Sequence, residues 1–414
     1  MKQKYKKTEI GVIPEDWELS TLKDAFPRLD AGVSVNSDTE SLSDYYVLKT
    51  SAVRNGTVYL QEAKPVIPAD YQRLKCPVKK GSIIISRMNT PLMVGECGYV
   101  HEANENTYLP DRLWQIENPV DSDYSFEWLN YLLNTSQYKA AIRSTATGTS
   151  NSMKNIAKDR LLEITIPKPA LPEQELIAEA LSDIDELIFT LEKLIAKKKT
   201  IKQGAMQQLL TGKTRLSNQS SNWREERLGD VVLTSSGGTP SREIEEYYRG
   251  TIPWITTSEL NDRYLYDSIE HITDEAVRNS SAKKFPRGTV LMAMYGATIG
   301  KLGILETDST TNQACCAMMC TTEVNNLYLF YYLLFNREEI VSLGSGAGQP
   351  NISQTIVKNL TIKLPDYDEQ MAIGKLLNDM DMEIQELEAR VWKQRQLKQG
   401  MMPQLLTGKT RLNY

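Results

Sequence analysis

QLLTGKTRL, from Gln208 to Leu216, recurs 196 positions later as the same nine residues from Gln404 to Leu412. Identity of that length marks a duplicated unit, and a repeat must be recognised before any fold is read. Upstream, Glu173, Gln174, Ile177, Leu181, Asp183 and Asp185 recur as Glu369, Gln370, Ile373, Leu377, Asp379 and Asp381. Within the unit, Ile177, Leu181, Ile184, Ile188, Leu191 and Ile195 step by four and three, as do Ile373, Leu377, Met380, Ile384, Leu387 and Val391. Such spacing is a heptad seam and predicts two long helices, each needing a partner for its stripe. Pro172 and Pro365 sit just before the expected helices, and Gly212 and Gly408 follow them as stops. At 1.5 Å per residue each helix would run for about 60 Å.

Charge suggests how the helices pair. Glu173, Glu175, Glu179, Asp183, Asp185 and Glu186 crowd the first half of one, and Lys193, Lys197, Lys198, Lys199 and Lys202 the second. The other copy has the same polarity, Asp379, Asp381, Glu383, Glu386 and Glu388 preceding Arg390, Lys393, Arg395 and Lys398, with Lys375 the exception. Antiparallel packing sets each acidic half against a basic half and opposes the helix dipoles. Any single exposed ion pair adds little, so the seam should carry most of the stability.

The segments before the helices also correspond. Trp17 and Leu22 match Trp223 and Leu228; Gly81 before Ile83, Ile84 and Ile85 matches Gly288 before Val290, Leu291 and Met292; Tyr131-Leu132-Leu133 is paired with Tyr332-Leu333-Leu334. Short β-branched runs alternate with turn clusters and a few helical stretches, an α+β pattern. The expected order is a globular domain at 1–167, a spacer helix at 168–216, a second globular domain at 217–364 and a second spacer helix at 365–414. Two globular α/β domains separated by two long antiparallel helices would give an internal pseudo-twofold repeat, as two chains of a C2 dimer do.

Composition bounds the function. The 414 residues, 41% hydrophobic and 24% charged, suit a soluble protein of two or three domains. No run of eighteen apolar residues appears and MKQKYKKTEIG lacks a signal-peptide core, so a cytoplasmic location is expected. Cys76, Cys97, Cys315, Cys316 and Cys320 make no metal spacing, and only His101 and His271 could join them, so no metal site is expected and the thiols read as reduced core residues. A net charge of −5 leaves nucleic-acid binding to the local distribution of cations.

Catalytic motifs fail one by one. TGKT lacks the phosphate-loop glycine five residues before Gly212, Gln207 and Pro403 standing there instead. Gly296, Gly300 and Gly303 are not spaced as a dinucleotide fingerprint and read as a tight passage between strands, with Lys301 a candidate phosphate contact. Glu62-Ala63-Lys64 has a nuclease-like shape without an acidic partner, and no carboxylate is picked out for acid–base work. Side chains suited to reading bases do occur: Arg87, Arg112, Asn151 and Lys154 in the first segment, and Thr239, Ser241, Lys301, Asn312, Gln313, Gln349 and Asn351 in the second. Arg can grip guanine and Asn or Gln adenine, each through two bonds.

Several strings carry a family resemblance: IGVIPEDWELSTL from Ile10 to Leu22, GGTPS from Gly237 to Ser241, IPWIT from Ile252 to Thr256, YGATIGK from Tyr295 to Lys301, TNQA from Thr311 to Ala314, the Glu-Gln pairs and both QLLTGKTRL copies. In their order and duplication the chain resembles the specificity subunit of type I restriction-modification enzymes along essentially its whole length. The resemblance implies two target recognition domains, each reading one half of a bipartite asymmetric site in double-stranded DNA, with the coiled-coil helices setting the spacing. It implies two methylation subunits and restriction/translocase subunits as partners, and S-adenosylmethionine, ATP and Mg on those partners, with no cofactor in this chain. RMNTPLMVGECG, from Arg87 to Gly98, replaces the GATIGK string in the first segment, and no TNQA follows it. The alternatives are a self-contained nuclease or methyltransferase, and a coiled-coil adaptor without DNA binding.

Overall fold

The structure is a computed structural model that describes residues 4–38, 42–148, 153–216, 222–344 and 351–412. The chain forms two units: Met1–Thr190 with Val391–Tyr414, and Leu191–Arg390. No helix among the described residues is long and apolar enough to cross a membrane.

The heptad stretches form two helices of 39 residues, Leu171–Leu209 and Tyr367–Leu405. Pro172 is the second residue of the first helix, inside the first turn rather than ahead of it, where a missing amide hydrogen costs nothing. Gly212 and Gly408 lie just past the ends with φ of +72° and +69°. The Gly212 amide turns back to Leu209 O and the Thr214 amide to Gln208 O, so TGKT closes a helix. Every seam position is buried except Ile188 and Met380, which are half-buried.

Within each unit the helices run antiparallel. In the second unit Lys202 Nζ reaches Asp381 at 2.5 Å, Lys198 reaches Glu383 at 2.7 Å and Lys199 reaches Glu388 at 2.8 Å. In the first, Lys398 meets Asp185 at 2.6 Å, the repeat-related copy of the Lys202–Asp381 pair. A buried tyrosine shares each copy: Tyr131 Oη donates to Asp185 at 2.8 Å and Tyr331 Oη to Asp381 at 2.7 Å. These bonds correct the expected pairing of Tyr131 with Tyr332 by one residue, because Tyr331 points at the seam while Tyr332 donates to Thr361 O.

The main sheet of the first unit runs in the order Asp30–Ala31, Leu113–Ile116, Ile83–Ser86, Cys97–Tyr99, Gly56–Val58, Val53–Arg54. The second unit has Val232–Ser236, Cys315–Cys320, Val290–Ala293, Leu302–Leu305, Arg263–Leu265. In both, the central pairs are antiparallel and one parallel pair follows, Gly98 against Gly56 and Gly303 against Arg263. The central strands are apolar at consecutive positions because both faces are covered. Ile83 and Ile85 enter one core and Ile84 another; likewise Val290 and Met292 enter one core, Leu291 and Ala293 another.

Both long helices lock onto their domains through the Glu-Gln pairs. Gln174 Nε2 donates to Pro169 O and Asp123 O while its Oε1 accepts the Ser125 amide at 3.0 Å; Gln370 repeats this with Pro365, Glu323 and the Asn325 amide at 2.9 Å. The carboxylates beside them are buried and take arginines from the closing repeats. Arg411 grips Glu173 and the exposed Asp16, its guanidinium over the Trp17 ring, and Trp17 Nε1 donates to Glu173 at 2.9 Å. Arg215 grips Glu369 at 2.7 Å beside the Trp223 ring. The second QLLTGKTRL therefore closes the first unit, and the first copy closes the second.

Candidate nucleic-acid interface

The candidate base-reading residues gather where the central strands of each sheet run out. In the first unit Ser86 pairs with Leu113, so Arg87 and Arg112 leave the sheet side by side, and the Arg87 amide donates to Arg112 O at 3.1 Å. Asn89 pairs with Lys154, bringing a third cation to the same rim. Arg112 is exposed, and Arg87 and Lys154 are half-buried. Arg87 lies over the Trp114 ring at 5.5 Å, which fixes the plane of its guanidinium, and its buried Nε has no partner among the described residues. Lys154 Nζ donates to Gly148 O at 2.6 Å. Asn151 lies outside the described residues.

In the second unit Ala293 pairs with Cys315, and the Met294 amide donates to Ala314 O at 2.9 Å. This is the bond that Arg87 makes to Arg112. The Ile352 amide donates to Met294 O at 2.7 Å as the Ile156 amide does to Arg87 O at 2.9 Å. The Gly300 amide donates to Ala293 O as the Gly95 amide does to Ser86 O. RMNTPLMVGECG is thus the structural counterpart of MYGATIGKLG, with two more residues in the turn, and Leu109 to Arg112 stands in place of the TNQA string. Both fit tightly: a Cβ on Gly237 would lie 2.0 Å from Thr311 O, and one on Gly32 1.6 Å from Leu109 O. Glycine is required at both places for the backbones to approach.

With the frame shared, the rims differ in chemistry. Arg87 and Arg112 correspond to Met294 and Ala314, so at these two positions the second rim carries no cation, and its described residues offer amides and hydroxyls. Thr239 Oγ1 donates to Gln313 Oε1 at 2.5 Å, joining the GGTPS and TNQA strings. Asn312 Oδ1 accepts the Ala314 amide, and Ser241 Oγ accepts the Glu243 amide. Asn351 is exposed beside Ile352, at the same edge; Gln349 lies outside the described residues. Tyr295, exposed at the start of the turn, belongs to this rim and was not among the expected contacts; an aromatic beside a glycine-bearing turn was the available signal.

Lys301 is spoken for. Its ammonium pairs with Asp262 at 3.1 Å, and Arg337 binds the same carboxylate. Burial alone would raise the Asp262 pKa, but the Leu302 amide, Arg337 and Lys301 outweigh it and hold it below its usual 3.8. The first unit builds the same knot with the charges exchanged: Glu96, in the position of Lys301, takes Lys139 at 2.9 Å and Arg143 at 2.8 Å. Asn55 and Asp262, the turn residues facing these knots, both have positive φ, 53° and 63°.

Among the described residues no group of three or more His, Cys, Asp or Glu is placed to hold a metal. Glu62 is bound by Arg54 and Ser51. A duplicated α+β scaffold, with one cationic rim and one amide-rich rim at equivalent places, defines a two-headed recognition protein. Residues 14–203 and 220–394 match the model of the type I restriction modification DNA specificity domain. The chain therefore belongs to that family, the non-catalytic DNA-recognition component of type I restriction-modification systems. It is 26% identical to the putative type I restriction enzyme MjaX specificity subunit of Methanocaldococcus jannaschii, over 99% of this chain and 97% of that one. It is 25% identical to the EcoR124I/EcoR124II specificity subunit of Escherichia coli over 37% of this chain and 40% of that one. The fold is similar to that of the type I restriction-modification S subunit from M. genitalium, with a TM-score of 0.64, 18% identity and coverage of 98% and 99%.

Proposed function

We propose that each unit reads one half of a bipartite asymmetric site in double-stranded DNA, and that the long helices set the unread gap between the halves. The observation that carries this is the equivalence of the two rims: one backbone frame bears Arg87 and Arg112 in one copy and Met294 and Ala314 in the other. Identical frames suit the same task, and different side chains suit different sequences. Docked in major grooves on one face, the halves would lie about one to one and a half turns apart.

The helices also offer a docking surface. Phe189, Ile201, Met382, Trp392 and Leu397 are each at least half exposed, on helices whose seam residues are buried or half-buried. We assign these faces to two methylation subunits, with the restriction/translocase subunits joining that assembly in the cytoplasm. S-adenosylmethionine, ATP and Mg belong to those partners. The test is to insert one heptad pair into both helices and sequence the methylated sites of the assembled complex. A longer gap between unchanged half-sites is expected; an unchanged site would remove the helices from the spacing role.

A further inference from the structure

Each rim turn is gripped by one arginine from a later helix of its own unit. In the first unit the turn from Arg87 to Gly98 is closed at its foot by the Gly95 amide on Ser86 O and the Ser86 amide on Glu96 O. Arg143, in the last turn of the helix Ser136–Ser144, donates through Nη2 to Leu92 O at 2.8 Å and to Glu96 Oε1 at 2.8 Å. Glu96 is buried, and its other oxygen takes Lys139 Nζ at 2.9 Å and the Asn55 amide at 3.1 Å. In the second unit Arg337, on the helix Arg337–Ser342, donates through Nε to Gly300 O at 2.9 Å and through Nη2 to Asp262. Both helices also press against the turn they hold. A Cβ on Gly95 would lie 2.6 Å from Ile142 Cγ2, and one on Gly300 2.7 Å from Val341 Cγ2.

The two grips are not copies of one residue. Setting Gly95 against Gly300 and Ile142 against Val341 places Tyr138, not Arg143, opposite Arg337. The carboxylate belongs to the turn itself in one unit and to a facing turn in the other. Common to both is a helical guanidinium that bonds a turn carbonyl and a carboxylate together. Stability alone does not call for this, because apolar neighbours often replace a buried ion pair at no loss. A guanidinium that joins two acceptors fixes distance and angle as well, which an apolar contact does not. The gripping helix also leads into the other part of its rim. After Ser144 the chain forms Ala146–Thr147, which pairs with Lys154–Ile156, and Asn155 in turn pairs with Met88. In the second unit the Ile352 amide returns to Met294 O. The grip thus holds the turn in register with the segment that returns beside it.

We propose that Arg143 and Arg337 are positioning residues for base recognition, each holding the turn of its rim, and so the side chains on it, in the geometry that discriminates bases. The inference rests on the rims being the base readers. Two-bond recognition of a base edge fails once a side chain is displaced by about 0.5 Å, whereas phosphate contacts carry no sequence information. Loss of a grip should therefore cost selectivity rather than affinity alone.

The test uses the full chain assembled with its methylation subunits and reads methylation of a DNA pool in which one half-site at a time is randomised. Arg143→Ala leaves Glu96 its bonds from Lys139 and Asn55, and Arg337→Lys keeps a cation beside Asp262 while losing the second arm of the fork. Each should lower the ratio of methylation at the preferred site to that at single-base variants by about tenfold, in one half-site and not the other. The two substitutions should affect opposite half-sites. Lys139→Ala removes a comparable ion pair from Glu96, and among the described residues its ammonium bonds Glu96 alone. It should lower the unfolding temperature as Arg143→Ala does and leave the ratio as in wild type, with circular dichroism as the folding control. An equal fall of the ratio in Lys139→Ala, a fall in both half-sites together, or an unchanged ratio in Arg143→Ala or Arg337→Lys would overturn the proposal. Arg112→Ala separates the two levels. If it shifts the preference and Arg143→Ala does not, the grip alone is refuted; if neither shifts it, the rim is not the reader and the proposed function falls as well.

Discussion

Replacing Arg411 by alanine should loosen the first unit and spare the second, although Arg411 is three residues from the end of a 414-residue chain. Glu173 is 1% exposed, and its acceptor capacity is divided between Arg411 and Trp17 Nε1. Removing one partner of a fully buried ion pair costs about 3–5 kcal/mol, because a desolvated charge is left without its counter-charge. Here Trp17 continues to donate, and the outer nitrogens of Arg411 face the largely exposed Asp16, so about 2–3 kcal/mol is a fair expectation. For a unit of roughly 200 residues that is a fall of about 4–12 °C in its unfolding temperature. Hydrogen exchange with mass analysis would locate the change. Faster exchange is expected through residues 13–133, with little change in residues 224–334. Arg215→Ala should produce the converse, since Arg215 holds Glu369 of the second unit. Equal loosening of both units by either substitution would refute the crossed assignment of the two closing repeats.

Other outcomes follow from the rims and the charge knots. Arg112→Ala should weaken DNA binding by about 1–3 kcal/mol at fixed salt and relax selectivity at one base pair of one half-site, read by sequencing methylated sites. Asp262, with its pKa held below 3.8, contributes stability that is present above the unfolded value and lost as pH falls through the folded one. An acid titration of wild type against Asp262→Asn should show a difference that is constant above about pH 4 and shrinks only below it; a difference that shrinks already at higher pH, or that does not shrink at all on acidification, would remove the ion knot as its source. The thiols of Cys97, Cys315, Cys316 and Cys320 are pushed up to about 12 by burial and that of Cys76 to about 11, so iodoacetamide at pH 8 should leave the native chain unlabelled and modify all five cysteines after unfolding.

The long helices were legible because a heptad seam is a local pattern, and their antiparallel sense because the charge gradient repeats with the same polarity. The ion pairs Lys202–Asp381 and Lys398–Asp185 are what that gradient required. The latches were half legible: Glu173, Trp17 and the terminal TRL were all seen to recur, but nothing local says that Arg411 meets a carboxylate 238 positions away. The likeness of Arg87–Gly98 to Met294–Gly303 was hidden for a different reason. Register in a sheet is kept by backbone bonds, so two extra residues in a turn and a wholesale change of side chains leave the frame intact while erasing the string. The ion pair of Lys301 was not legible, because its counter-charge, Asp262, arrives from a turn 39 residues earlier.

The crossed closure has a consequence at the level of the gene. Excising one repeat period, residues 213–408, would remove 196 codons in frame and leave a chain of 414 − 196 = 218 residues with a single globular unit, one helix and one TGKTRL ending. That ending could not latch its own domain, because its arginine belongs to the carboxylate of the opposite helix. Two such half-chains would complete each other instead, giving a homodimer with two identical heads, detectable by sedimentation, whose target would read the same on both strands.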